Sequence, residues 1–133
     1  MSEGVENLDL DFFSLPSPRE KGYPEEAARC LSLFGAILIQ AIRDFLAAKN
    51  PKNLGKKDVQ ALGTQAEIWL FYESPDNLHL LYEFSSLKEW KLAILTSFEH
   101  ICSLFDLDPD YIRRRILELL KEGQYYTLGR RYG

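Results

Sequence analysis

The chain has 133 residues, 46 % of them hydrophobic, which suits one globular domain built around a single core. A formal net charge of −4 and a pI near 5.2 exclude a surface that binds phosphate over its whole extent and leave only a local basic patch for nucleic acid. The two cysteines, Cys30 and Cys102, lie in apolar contexts without paired spacing; this excludes a disulfide framework and predicts reduced core thiols.

Residues 1–23 include SLPSPREKGYP, whose prolines, serines and glycine predict a flexible or extended arm. Within it NLDLDFFSL sets Phe12 and Phe13 among carboxylates. It reads first as a strand of tail on the domain's own surface and second as a docking segment that orders on a partner. The opening MSEGVENLDL has no charged-then-apolar signal pattern, so a cytoplasmic location is expected. From Pro24 onward, apolar residues at Leu31, Phe34, Leu38, Ile42 and Phe45 follow helical spacing. They predict one helix of about 25 residues, with Glu25 and Glu26 in its first turn and its end near Asn50 and Pro51. Its polar stripe of Arg29, Ser32, Gln40 and Arg43 is narrow. The helix is therefore expected at the centre of the domain, with a homodimer through 24–50 as the alternative. Its most apolar run, LFGAILI, is broken by Gln40, Arg43 and Asp44, short of the ~18 residues of a membrane span, so no membrane partner is expected.

Lys52, Lys56 and Lys57 form a basic connection without the glycine spacing of a phosphate-binding loop. Asp58 is a candidate cap for a short helix to Leu62, and Thr64 for another running through Trp69. The spacing of Ala61, Leu62, Ala66, Trp69 and Leu70 predicts helix to about Phe71. The strand-rich EIWLFYE and LHLLYEF around the turn sequence SPDN keep a short β-hairpin at 67–84 as the alternative. Ser86 and Glu89 form a capping box for a helix whose apolar side is Leu87, Trp90, Ile94 and Leu95. Tyr72, Tyr82, Phe84 and Trp90 read as core, with a partner-binding patch as the second reading.

Thr96 or Ser97 starts the next helix, and Asp108 with Pro109 starts the last, which ends before Gly123. Between them FEHICSLFDLDPDYIRRRIL, within residues 97–120, resembles the helix-turn-helix unit. Ile101, Cys102, Phe105, Leu107, Ile112 and Ile116 fall at its packing positions, and Asp106 stands where a glycine is usual. The resemblance implies an outward second helix carrying Asp110, Arg113 and Arg114 toward DNA, with Arg130 and Arg131 adding backbone contacts from a mobile basic and aromatic tail, residues 122–133. Asp108 and Asp110 at that helix's N-terminus oppose phosphate and serve equally as caps.

Ala66 and Trp69, then Phe98, Glu99, Ile101 and Cys102, then Leu107, Pro109, Ile112 and Arg113 recur in that order in small bacteriophage and prophage proteins, which the C-terminal half resembles. The resemblance implies a phage or mobile-element origin, a bacterial host cell and a regulatory role; it brings no activity with it. The chain departs from those proteins in a longer, more aromatic insert at 72–95.

No cofactor is implied. His79, His100, Cys30 and Cys102 lack metal-ligand spacing, so no metal site is expected. No glycine-framed serine or similar signature positions a nucleophile, so no enzyme is expected. The fold class expected is mainly α: a small helical domain over residues 24–121 with a C-terminal helix-turn-helix-like unit. The first function expected is a transcriptional regulator that contacts DNA. The alternative is an acidic inhibitor that binds a host machine such as RNA polymerase or a defence complex, with Phe12, Phe13, Tyr72 and Tyr82 as anchors and no contact with DNA.

Overall fold

Proline lacks an N–H to leave unpaired, so Pro24 opens the first helix at no cost. Its carbonyl accepts the Ala28 N–H at 2.8 Å, and Glu25 and Glu26 lie in the first turn, where the helix dipole favours carboxylates. The computed structural model describes residues 22–125. The sequence expectations for residues 1–21 and 126–133, including Phe12, Phe13, Arg130 and Arg131, lie outside the described residues. Helix α1, Glu25–Lys49, has the expected 25 residues. By length and composition it could cross a membrane. In this fold Leu38, Ile42, Phe45 and Leu46 are instead enclosed by the protein's own helices.

Asn50 ends α1 in an extended conformation, and its side chain accepts the Lys52 N–H at the start of the 3-10 turn Pro51–Asn53. The buried Asn53 donates its amide to Ala47 O at 2.8 Å, and Gln60 donates to Ala48 O and Asn53 O, each at 2.9 Å. Two of the orphan carbonyls of α1, those of Ala47 and Ala48, are thus satisfied by the segment that follows, which folds α2, Lys57–Glu67, back along it. The separate caps expected at Asp58 and Thr64 do not form. Lys56 precedes one continuous helix, and the Thr64 hydroxyl donates backward to Gln60 O at 3.0 Å.

Close approach of α1 and α2 needs Gly63: a Cβ there would lie 2.1 Å from Ala48 Cβ and 3.3 Å from Asp44 O. Gly63→Ala is therefore expected to destabilise the protein by about 1–2 kcal/mol despite the better helix propensity of alanine. Adding Ala48→Gly should recover part of that loss, as read by urea denaturation of the single and double variants.

Beyond Glu67 the helix widens into a π segment, Ile68–Tyr72, closed by Glu73 N–H to Ile68 O at 2.9 Å. Leu70 is fully buried, Phe71 meets the Phe45 ring at 5.2 Å, and Trp69 meets Phe98 edge-on at 5.5 Å. Trp69 also donates its indole N–H to Thr96 O at 3.0 Å. The hairpin alternative at 67–84 is not formed, since these residues contain no strand. Asn77 closes the turn instead: it accepts the Ser74 N–H at 2.8 Å and donates to Tyr72 O at 2.7 Å, and its own carbonyl starts the single turn α3, Leu78–Leu81.

Ser86 caps α4, Leu87–Leu95, by accepting the Glu89 N–H at 3.2 Å. The return bond of the capping box goes one residue further back, from the Ser85 hydroxyl and N–H to the Glu89 carboxylate. These bonds, the hydroxyl first, hold Glu89 below the usual carboxylate range. Ser97 caps α5, Phe98–Leu104, and Asp108 caps α6, Pro109–Lys121. Gly123, at φ 72°, terminates α6 with its N–H on Leu120 O and the Gln124 N–H on Leu119 O.

The core joins Leu38, Ile42, Phe45 and Leu46 of α1 to Leu70, to Phe98, Ile101 and Cys102 of α5, and to Ile112, Ile116 and Leu119 of α6. The two thiols part company. Cys102 is buried, and desolvation pushes it up to about 12, whereas Cys30 is exposed and is not the core thiol expected. The N-terminal half of α1 is the cause, since Ala28 and Gly35 are buried while Cys30 and Leu33 face outward. Alkylation at pH 8 is expected to label Cys30 alone in the native protein and both thiols in denaturant; labelling of Cys102 under native conditions would contradict the packing.

Candidate functional site

Helices α5 and α6 are joined through a tight turn whose geometry follows from Asp106. Its φ of 56° makes it the one non-glycine residue with positive φ among those described. The Leu107 N–H bonds to Cys102 O at 2.9 Å and the Asp106 N–H to Ser103 O at 3.3 Å, the paired bonds of a left-handed helix end. The Asp108 carboxylate then accepts the Asp110 N–H at 3.0 Å, with Pro109 in the first turn of α6. Ile101, Cys102, Phe105, Ile112 and Ile116 are buried and Leu107 is half-buried, so the six expected packing positions lie between or beside these helices.

Arg113 departs from the outward position expected for a DNA contact. Its side chain is 19 % exposed and turns back into the protein. Its Nε donates to Leu70 O at 2.7 Å, its two terminal nitrogens reach Glu99 and Asp110 at 3.2 Å each, and the guanidinium sits 4.9 Å from the Phe98 ring centroid. The Leu70 carbonyl lies in the middle of the π segment near the helix end, where the Glu73 N–H is taken by Ile68 O and the Ser74 N–H by Asn77 Oδ1, so its donor comes from elsewhere in the chain. Arg113 supplies that donor through a rigid, planar fork. Of the arginines expected to face DNA, Arg114 is exposed beside the Tyr111 ring, and Asp110 is exposed next to it. Arg115 pairs with Glu118 at 2.8 Å.

A second surface lies on residues 72–95. Helix α4 contains no buried residue. Leu87 is 63 % exposed, Leu92 53 % and Leu95 46 %, while Trp90 and Ile94 are only half-buried. Lys88, Lys91, Leu92 and Leu95 share one outward stripe by helical spacing, and Lys88 and Lys91 are exposed. The expected core face of α4 is thus half uncovered. Next to it Leu80, Leu81, Tyr72 and Tyr82 are exposed as well, so the two tyrosines assigned to a partner-binding patch lie at the surface. Tyr82 donates its hydroxyl to the Glu73 carboxylate; burial first, then this bond, pushes the phenol up to about 12. Tyr82 also closes one side of an open groove of about 680 Å³ between α1 and α2, lined by Ile37, Ala41, Leu62, Ala66 and Trp69 with Asp44 and Glu73 at its polar edge.

The leucines of α4 were missed as candidate surface residues because amphipathic spacing reports that a face is apolar without reporting what covers it. Among the described residues, no three His, Cys, Asp or Glu side chains converge as metal ligands. Comparison with protein-family models, curated proteins and solved structures gives no significant match to the chain.

Proposed function

We propose that the protein is a small regulatory binding protein that docks on a protein partner through the surface of residues 78–95. The observation that carries this is the apolar outward face of α4, with Leu87, Leu92 and Leu95 about half or more exposed. Contiguous apolar surface rimmed by polar side chains is the usual mark of an interaction site. Tyr72 and Tyr82 beside it are of the residue type that anchors interfaces, and Lys88 and Lys91 favour a partner whose contact surface is acidic. An inhibitor or adaptor encoded by a phage or mobile element, acting on a host machine, fits this chemistry.

Transcriptional regulation through DNA is the second reading. The left-handed turn at Asp106 between α5 and α6 and the exposed Arg114 favour it. Against it stand the exposed Asp108 and Asp110 at the N-terminus of α6 and the engagement of Arg113 within the fold. Leu92→Asp/Leu95→Asp is expected to leave stability nearly unchanged and to lower retention of a bacterial host partner by at least about tenfold, measured as recovery on immobilised protein. Gel shift with genomic DNA at low salt is expected to give no complex. A complex lost in Arg114→Ala would favour DNA instead.

A further inference from the structure

The outward stripe of α4 is apolar and basic, with Leu92 and Leu95 exposed beside Lys88 and Lys91. One stretch of this chain has the complementary composition. Residues 1–15 carry Glu3, Glu6, Asp9 and Asp11 with no lysine or arginine, and their apolar residues concentrate in LDLDFFSL. We infer that the segment Leu8–Leu15 docks on the outward face of α4 of its own chain, Phe12 and Phe13 covering its leucines and Asp9 and Asp11 meeting its lysines.

Reach permits the contact. Phe12 is ten residues before Gly22, where the described residues begin, and ten extended residues span roughly 35 Å. A domain of about 100 residues has a radius of gyration near 13 Å and is itself about 35 Å across, so the tether reaches most of its surface. Charge selects among the surfaces within reach. The groove between α1 and α2 presents Asp44 and Glu73 at its edge, which repel an acidic segment. On α4 the stripe of Lys88, Lys91, Leu92 and Leu95 carries the two lysines, and Glu89 lies off it by helical spacing. Tethering also raises the effective concentration of the segment to the millimolar range, which makes a weak contact sufficient. The inference goes beyond the proposed partner binding and stands without it, since a contact within the chain needs no partner.

Photo-crosslinking of the full chain tests this contact. Phe12→p-benzoylphenylalanine is irradiated in an equal mixture of ¹⁴N- and ¹⁵N-labelled protein, and the crosslinked peptides are mapped by mass spectrometry. Crosslinks to the peptide containing Leu87–Leu95, within single-isotope molecules, are expected. Lys88→Glu/Lys91→Glu, both at exposed positions, should lower that yield about fivefold at low salt, and Asp9→Lys/Asp11→Lys in the same molecule should restore it. Crosslinks to other peptides, mixed-isotope products, absence of crosslinks, or a yield indifferent to the charge reversal would each overturn the inference. Partner retention by the wild-type protein is read in the separate recovery experiment, so loss of one conclusion does not carry the other with it.

Discussion

Arg113→Ala is expected to lower the unfolding free energy by about 2–3 kcal/mol, because it removes charge-assisted hydrogen bonds from a site only 19 % exposed. The cost has two parts. The Leu70 carbonyl loses its side-chain donor. Glu99, about one-third exposed, loses its ion-pair partner. Arg113→Lys should recover less than half of the loss, since one ammonium cannot span the carbonyl, Glu99 and the Phe98 ring at once. Arg114→Ala, at an exposed position, should change stability by no more than about 0.5 kcal/mol. Thermal melts of the three variants check this directly, with a fall of roughly 10 °C expected for Arg113→Ala. Wild-type stability of that variant would return Arg113 to the pool of ligand-contacting residues.

The larger loss is expected from Phe98→Ala, about 3–5 kcal/mol. Phe98 is fully buried and is the largest side chain so enclosed among the described residues. It joins two parts of the chain distant in sequence, meeting Trp69 edge-on at 5.5 Å and carrying the Arg113 guanidinium on its face at 4.9 Å. Truncation therefore opens a cavity and loosens the π segment and α6 together. Since total stability is commonly about 5–15 kcal/mol, the variant should be marginal at 37 °C. Phe98→Leu, which keeps most of the volume, should cost markedly less. Urea titration followed by tryptophan fluorescence reads both, because Trp69 packs on the altered ring. A midpoint for Phe98→Ala within error of the wild type would contradict the central position given to this residue.

The helices were legible where local chemistry decides them. Asp108 with Pro109 opens α6, Gly123 closes it, and Ile112 and Ile116 recur at the spacing that buries one side. Asp106 was legible too, as the residue standing at the left-handed position of the turn. Arg113 was not, because its principal acceptor lies 43 residues away and no local pattern announces a backbone carbonyl that a distant side chain will satisfy. Residues 67–84 were ambiguous for a different reason. Strand-favouring side chains fill them, and the bonds of Asn77 to Ser74 and Tyr72 close a turn that continues into a helical one. Cys30 and the leucines of α4 share one lesson: apolar periodicity marks what a helix offers to a neighbour, and the tertiary arrangement determines whether a neighbour is there.

Recognition on α4, as proposed, is separate from Arg113, which belongs to the framework that holds α5, α6 and the π segment together. Recovery of a host partner on immobilised wild-type, Leu92→Asp/Leu95→Asp and Arg114→Ala protein, each with nuclease treatment, tests that division most directly. The predicted result is nuclease-resistant recovery that falls at least about tenfold in the double leucine variant and is unchanged in Arg114→Ala. Nuclease-sensitive recovery that survives in the leucine variant and is lost in Arg114→Ala would contradict it.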